Sequence, residues 1–353
     1  MEQLCIEVAS GNYKIFFGEE IWDLVQNFAQ GYEQVLVVSD AHIASLYGGR
    51  LPYPQYILPA GEAQKTPDTV LKLVEELANR GLDRHSLLIA LGGGIVGDVA
   101  GFAASIYLRG IAYVQIPTTL IAQIDSSVGG KTGVNLPQGK NLLGTFYQPQ
   151  GVFIDVNVLK TLPPPELSSG LAEALKYGII ADADLFCFVR DNLGEFFTYD
   201  PELFSYVVYR CCQLKGEIVG KDERDRGLRK ILNHGHTFGH ALEALTHYES
   251  YSHGEAVLLG MLFEARLAKE LNILPLNCFQ VIAGGLHAMI DLAKLKWTPP
   301  GFTNEQLLEA LLHDKKNRHG RISFILPSRV GKVQEVLLTT WELQPHLERV
   351  LEA

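Results

Sequence analysis

Residues 87–101 read LLIALGGGIVGDVAG: a continuous apolar run, three consecutive glycines, a fourth at Gly97, and then a helical pattern of small residues. An unbroken apolar run of this length fits a strand buried on both faces, as in a parallel sheet covered by helices. Outward from it the same texture repeats. Residues 34–39 (QVLVVS) form a second predicted strand ending at Asp40, and residues 111–116 (IAYVQI) a third ending at Pro117. Between the first two, residues 69–80 (TVLKLVEELANR) carry apolar positions at helical spacing and stop at Gly81. Strands alternating with helices predict an α/β fold with a parallel, Rossmann-like sheet. Ligands of such sheets bind at the carboxyl ends of the strands.

The texture changes after residues 151–155 (GVFID). Residues 161–166 (TLPPPE) are a proline cluster that continues neither element, and residues 202–220, 237–244 and 254–271 are helical by period. The boundary falls near residue 165. Residues 1–165 are expected to form a nucleotide-binding α/β domain, and residues 166–353 a mostly helical domain, with the site in a cleft between the halves.

The chain has 353 residues with 40 acidic against 30 basic side chains, a net charge of −10. That balance argues against nucleic acid or a membrane surface as partner, and requires a local basic pocket for any anionic substrate. No apolar stretch is long enough for a membrane span. Residues 1–18 (MEQLCIEVASGNYKIFFG) carry Glu2 and Glu7 and read as an alternating strand, not a signal peptide. Five cysteines at irregular spacings, two of them adjacent, read as buried reduced thiols of a cytoplasmic protein.

Three strand ends carry polar, turn-forming residues. Gly93 and Gly94 precede a helix whose amino terminus favours phosphate, although the stretch is neither G-x-G-x-x-G nor a P-loop. Residues 59–66 (PAGEAQKT) bring Glu62 and Lys65, and residues 117–119 (PTT) bring Thr118 and Thr119. Together they predict one dinucleotide crevice, with Asp40 at the end of a further strand among its candidate residues. Residues 125–141 (DSSVGGKTGVNLPQGKN) hold Asp125, Lys131, Lys140 and Asn141 on a glycine-rich stretch that suits an anionic group, or else is a solvated loop. Five of eleven histidines cluster at His234, His236, His240, His247 and His253. His236 and His240 are spaced i, i+4, which suits two imidazoles on one metal, but Thr237 stands where a zinc peptidase has glutamate. Glu173, on a predicted helix with Lys176, is a candidate carboxylate ligand. Spacing leaves open whether His240 or His253 is the second imidazole.

Taken with GGGIVGDVAGFAASIYLRG (92–110), PTTLIAQIDSSVGGKTGVNLPQGKNLLGTFYQP (117–149), GLAEALKYG (170–178), DERDRGLRKILNHGHTFGHALE (222–243), HGEAVLLGM (253–261) and DKKN (314–317), the chain resembles the 3-dehydroquinate synthase family of sugar-phosphate cyclases. The resemblance implies an NAD-binding domain, a helical metal-binding domain, bound NAD, one divalent metal (zinc or cobalt) and a homodimer. It implies conversion of 3-deoxy-D-arabino-heptulosonate 7-phosphate to 3-dehydroquinate and phosphate, by transient oxidation, phosphate elimination, re-reduction and intramolecular aldol closure. It assigns Glu173, His236 and His253 to the metal, against the i, i+4 pair. It assigns Arg229 and Lys215 to the substrate carboxylate. Lys131, Asn141, His240, Lys315 or Lys316, and Arg109 from a second subunit go to the phosphate, and Asp125, Lys176 and Asn233 to the hydroxyls. Asp98, Glu62, Lys65, Thr118, Thr119 and Lys140 line the NAD site. No side chain of this set is an obvious dedicated base, so the departing phosphate is expected to take the proton. The rivals are a metal-dependent polyol dehydrogenase of related fold, whose mark is net NADH formation, another sugar-phosphate cyclase, and a binding protein expected to lack one or more of the three ligands.

Overall fold

The computed structural model describes residues 2–247, 250–295, 302–312 and 320–352. The chain divides into two compact units, Met1–Leu162 with Phe204–Arg224, and Pro163–Leu203 with Asp225–Ala353. The helix Pro201–Lys221 therefore belongs mostly to the first unit, although it lies well beyond residue 165.

The first unit is built on a seven-stranded sheet. Its strands are β1 (Glu2–Val8), β2 (Gly11–Phe17), β3 (Val35–Asp40), β4 (Gln55–Leu58), β5 (Leu87–Gly92), β6 (Ala112–Pro117) and, after a separate hairpin of β7 (Lys131–Leu136) and β8 (Gly139–Phe146), β9 (Gly151–Ile154). The spatial order is β1-β2-β9-β6-β5-β3-β4. Every pairing is parallel except the edge hairpin β1–β2. The strand that decides the fold, β5, is buried along its whole length. Its side chains alternate between two cores: Leu88 and Ala90 pack with Val99 and Ala103 on one face, Leu87, Ile89 and Leu91 with Trp22 and Ile116 on the other.

The glycines after β5 do more than admit a ligand. A Cβ at Gly97 would fall 2.5 Å from Gln115 Oε1, and one at Gly101 2.6 Å from Thr132 Cγ2. The helix Gly94–Ile106 thus lies close against β6 and β7 because it lacks side chains there. The hairpin β7–β8 replaces the expected loop over 125–141. A Cβ at Gly133 or Gly144 would run into the opposite strand's backbone, so the glycine content that read as loop is what lets these strands approach.

The second unit is mostly helical. Its helix Pro164–Ala181 begins with prolines in the first turn, where no amide partner is lost, and is buried continuously from Leu167 to Ile180. The helix His253–Glu270 is nearly as buried, and Phe238 stacks on Phe263 at 4.2 Å between ring centroids. A second antiparallel hairpin, β10 (Arg321–Arg329) with β11 (Lys332–Thr339), was not expected from the sequence. Among the described residues no helix is long and apolar enough to cross a membrane.

The cysteines depart from the uniform buried reading. Cys211 and Cys212 are buried, Cys187 and Cys278 half-buried, and Cys5 exposed on β1. None of the five is in a disulfide. Burial pushes the Cys212 thiol up to about 12. At pH 8 that leaves roughly one thiolate in ten thousand. Iodoacetamide under native conditions at pH 8 is expected to modify Cys5 and leave Cys212 intact by mass spectrometry; equal rates at the two would contradict the burial.

Candidate functional site

In the helical unit the central feature is a buried pair. Glu173 and Lys176 lie one turn apart on the helix Pro164–Ala181 and are each 2% exposed. The Lys176 ammonium sits on Glu173 Oε2, leaving Oε1 turned toward His236, 3.8 Å from its Nε2. Buried charges persist in such surroundings only when paired.

His236 is the first residue of the helix His236–Leu245 and follows Gly235, whose φ of +80° puts the backbone in the left-handed region. Its Nδ1 lies 3.2 Å from the His234 carbonyl oxygen. A carbonyl only accepts, so Nδ1 carries a proton, and Nε2 is the nitrogen turned toward Glu173. His253 opens the helix His253–Glu270. A reciprocal cap starts that helix: Ser252 Oγ accepts from the Glu255 amide, and the Glu255 carboxylate accepts from the Ser252 amide. The His253 Nδ1 lies 3.5 Å from Glu243 Oε1, a carboxylate almost wholly buried. Ring centroids of His236 and His253 are 5.3 Å apart.

Two donor sets follow, sharing His253. Ligand atoms of Glu173, His236 and His253 lie within 4.8 Å of one another, and so do those of His240, Glu243 and His253. Either could hold a divalent cation. In the first, both imidazoles have an oxygen on the Nδ1 side, the arrangement that orients metal-ligating histidines. In the same unit Arg229 is buried on the 3-10 segment Leu228–Asn233, with Asn233 half-buried at its end. Sequence reasoning missed Glu243, although His236, His240 and Glu243 at i, i+4 and i+7 share one helix face.

In the α/β unit the expected dinucleotide residues converge in part. Lys65 Nζ bonds Asp98 Oδ2 at 2.5 Å and Asn141 Oδ1 at 2.7 Å. The Asn141 amide, on a left-handed backbone, donates to Asn135 Oδ1, and Asn135 donates to Glu62 Oε1 at 2.7 Å. Glu62, Lys65, Asp98 and Asn141 are therefore one network, with Asn135 the member that sequence reasoning missed. Burial raises the Asp98 carboxyl above its ordinary range, and the Lys65 ammonium opposes that rise.

Gly93 and Gly94 start the helix after β5, and the Thr118 amide donates to the Gly92 carbonyl. Thr119 Oγ1 accepts from the Ala122 amide, capping a π-helical turn, Ala122–Ser126, that carries Asp125. Lys215 reaches that turn, 2.8 Å from Asp125 Oδ1 and also bonded to the Asp125 carbonyl. Asp40 spends its carboxylate on the Ile43 amide as cap of the helix Ala41–Tyr47. Lys131 is exposed at the start of β7 and Lys140 half-buried in β8. Arg109 is exposed, with φ of +67°. Lys315 and Lys316 lie outside the described residues.

The 3-dehydroquinate synthase N-terminal family model matches residues 55–169, and the C-terminal model residues 170–317. A 3-dehydroquinate synthase from Alkaliphilus metalliredigens is 46% identical over 98% of this chain and 98% of its own length. One from Picosynechococcus is 42% identical over 95% of this chain and 94% of its own. Among solved structures, 2-deoxy-scyllo-inosose synthase complexed with carbaglucose-6-phosphate, NAD+ and Co2+ aligns at TM-score 0.86 and 29% identity over all of both chains. 2-epi-5-epi-valiolone synthase from Streptomyces hygroscopicus with NAD+ and Zn2+ aligns at TM-score 0.85 and 30% identity, over 96% of this chain and 97% of that one. A Schizosaccharomyces pombe glycerol dehydrogenase, at TM-score 0.66 and 16% identity over 96% and 88%, shares the fold alone.

The two donor sets make different predictions for zinc binding measured by chelator competition. With the first set as ligands, Glu173→Ala and His236→Ala each weaken binding by more than about 100-fold, above the range of outer partners. His240→Ala leaves it near the parent value. The reverse pattern would assign the metal to His240 and Glu243.

Proposed function

The chain belongs to the 3-dehydroquinate synthase family, and we propose that it converts 3-deoxy-D-arabino-heptulosonate 7-phosphate to 3-dehydroquinate and inorganic phosphate, with NAD and one divalent metal, zinc, as cofactors. The observation that carries this reading is the set Glu173, His236 and His253, with donor atoms within 4.8 Å of one another, in a chain of this family. One carboxylate and two imidazoles suit zinc and leave a coordination position for substrate. When bound, the two groups would supply Lewis acidity at oxygen and an acceptor that takes a hydride from the substrate and gives it back, so the net reaction is a lyase reaction without redox change.

The residues do the rest. Lys176 neutralises Glu173 and fixes which carboxylate oxygen faces the imidazoles. The His234 carbonyl and Glu243 stand at the Nδ1 atoms of His236 and His253, so both rings keep one orientation. We assign Arg229 and Lys215 to the substrate carboxylate, and Lys131, Asn141, His240 and one lysine of Lys315 and Lys316 to the phosphate. Asp125, Lys176 and Asn233 go to the hydroxyls. A chain of net charge −10 needs such cations to bind a dianion. The α/β unit acts as the NAD-binding domain, through Glu62, Lys65, Asp98, Thr118, Thr119, Lys140 and the glycines at the start of the helix after β5. The protein works in the cytoplasm as a homodimer in which Arg109 serves the neighbouring subunit. Its exposure, its left-handed backbone and the exposed Ile106, Leu108, Leu142 and Leu143 support an interface there. No member of the set is a dedicated base, so the departing phosphate takes the proton.

Given heptulosonate 7-phosphate, catalytic NAD+ and zinc, the protein is expected to release phosphate with no lasting NADH absorbance, and EDTA to stop it. Steady NADH formation without phosphate would instead indicate a polyol dehydrogenase. Asp98→Ala is expected to weaken NAD+ binding, read by calorimetry, by about tenfold or more, the equivalent of ~1.4 kcal/mol; unchanged affinity removes Asp98 from that site. His240→Ala is expected to slow phosphate release without abolishing it. Abolished elimination with intact substrate binding would make His240 the base.

A further inference from the structure

We infer that Glu264 is a positioning residue for the metal site, holding the turn that presents His236 from the same helix whose first residue is His253. The inference rests on the reading of Glu173, His236 and His253 as the ligands.

His253, Gly260 and Glu264 stand at i, i+7 and i+11 of the helix His253–Glu270, and so on one face of it. The turn entering His236 crosses that face. At Gly260 a Cβ would fall 1.9 Å from the Gly235 carbonyl oxygen, so helix and turn meet backbone to backbone. One turn further on, Glu264 is wholly buried and aims Oε2 at the same turn. That oxygen accepts the Gly235 amide at 2.8 Å and lies 2.8 Å from His234 Nδ1. The same imidazole nitrogen lies 2.7 Å from the Ile325 carbonyl oxygen on β10. Carboxylate and carbonyl are both acceptors, so His234 Nδ1 carries its proton and donates to both.

Glu264 thereby fixes the two residues that determine the pose of His236. Gly235 sets the left-handed entry of its backbone, and the His234 carbonyl holds its Nδ1. One rigid helix delivers His253 directly and His236 through Glu264, which sets the separation of the two imidazoles. A carboxylate is costly to bury, and packing alone would be served by leucine or methionine at this place. What leucine lacks is an acceptor for the Gly235 and His234 donors.

The test is chelator competition for zinc on chelator-stripped full-length protein, together with thermal melting of the same metal-free samples, for the parent, Glu264→Ala and Glu264→Gln. Glu264→Ala is expected to weaken zinc binding about 10–100-fold. Glu264→Gln keeps an oxygen acceptor but loses the charge-assisted bonds, and is expected to weaken it about threefold to tenfold. If Glu264→Ala does not fold, Glu264→Gln decides on the same criterion. A folded variant with parental zinc affinity overturns the inference, and so does a lowered melting temperature with zinc affinity unchanged, which is the mark of a merely structural residue. A parent that binds no zinc overturns the metal reading itself, and is told apart because it needs no variant.

Discussion

Two opposite charges sit side by side in the apolar centre of the helical unit, and they constrain what surrounds them. Glu173 and Lys176 belong to a helix buried from Leu167 to Ile180. Desolvating each ion costs several kcal/mol, and removing one partner of such a pair costs about 3–5 kcal/mol. The pair therefore survives only in fixed geometry, and the packing supplies it. A Cβ at Gly254 would fall 2.4 Å from Ser169 Cα, so the helix that starts with His253 lies directly against the Glu173 helix. With one carboxylate oxygen held by Lys176, the other is available to the imidazoles. A donor set of two metal-ligating imidazoles and a carboxylate offset by Lys176 would carry no net charge. A divalent cation would leave it positive and suited to an anionic substrate.

The α/β unit solves a related problem in another way. Its sheet is buried on both faces, so polar chemistry is confined to strand ends and the turns after them. There Lys65 is shared between Asp98 and Asn141, and Lys215 is held on the turn of Asp125. These lysines are placed by carboxylates before any ligand arrives. Preorganisation of this kind lowers the cost of ordering flexible side chains on binding.

Much of this was legible in the sequence, for identifiable reasons. The buried strand Leu87–Gly92 declared itself by an unbroken apolar run, and the helices Pro201–Lys221 and His253–Glu270 by their period. The histidine cluster was visible as a cluster, but choosing among its members needed positions that spacing does not encode. His236 and His253 are seventeen residues apart and meet because two helices pack. The hairpin β7–β8 was hidden because glycines that permit close strand approach read as loop. The hairpin β10–β11 was masked by a proline and by partial alternation. Lys215 reads as part of a helical half, yet its helix packs with the sheet. Glu264 carries no signal in the sequence beyond its place on a helix of regular period, and only its burial against Gly235 and His234 singles it out.

The central claim is that Glu173, His236 and His253 are the metal ligands, with Glu243 behind His253 and not in the coordination sphere. Anomalous diffraction at the zinc edge from zinc-grown crystals tests it most directly. The account predicts one peak about 2.0–2.2 Å from Glu173 Oε1, His236 Nε2 and a ring nitrogen of His253. A peak bound instead by His240, Glu243 and His253 would contradict it.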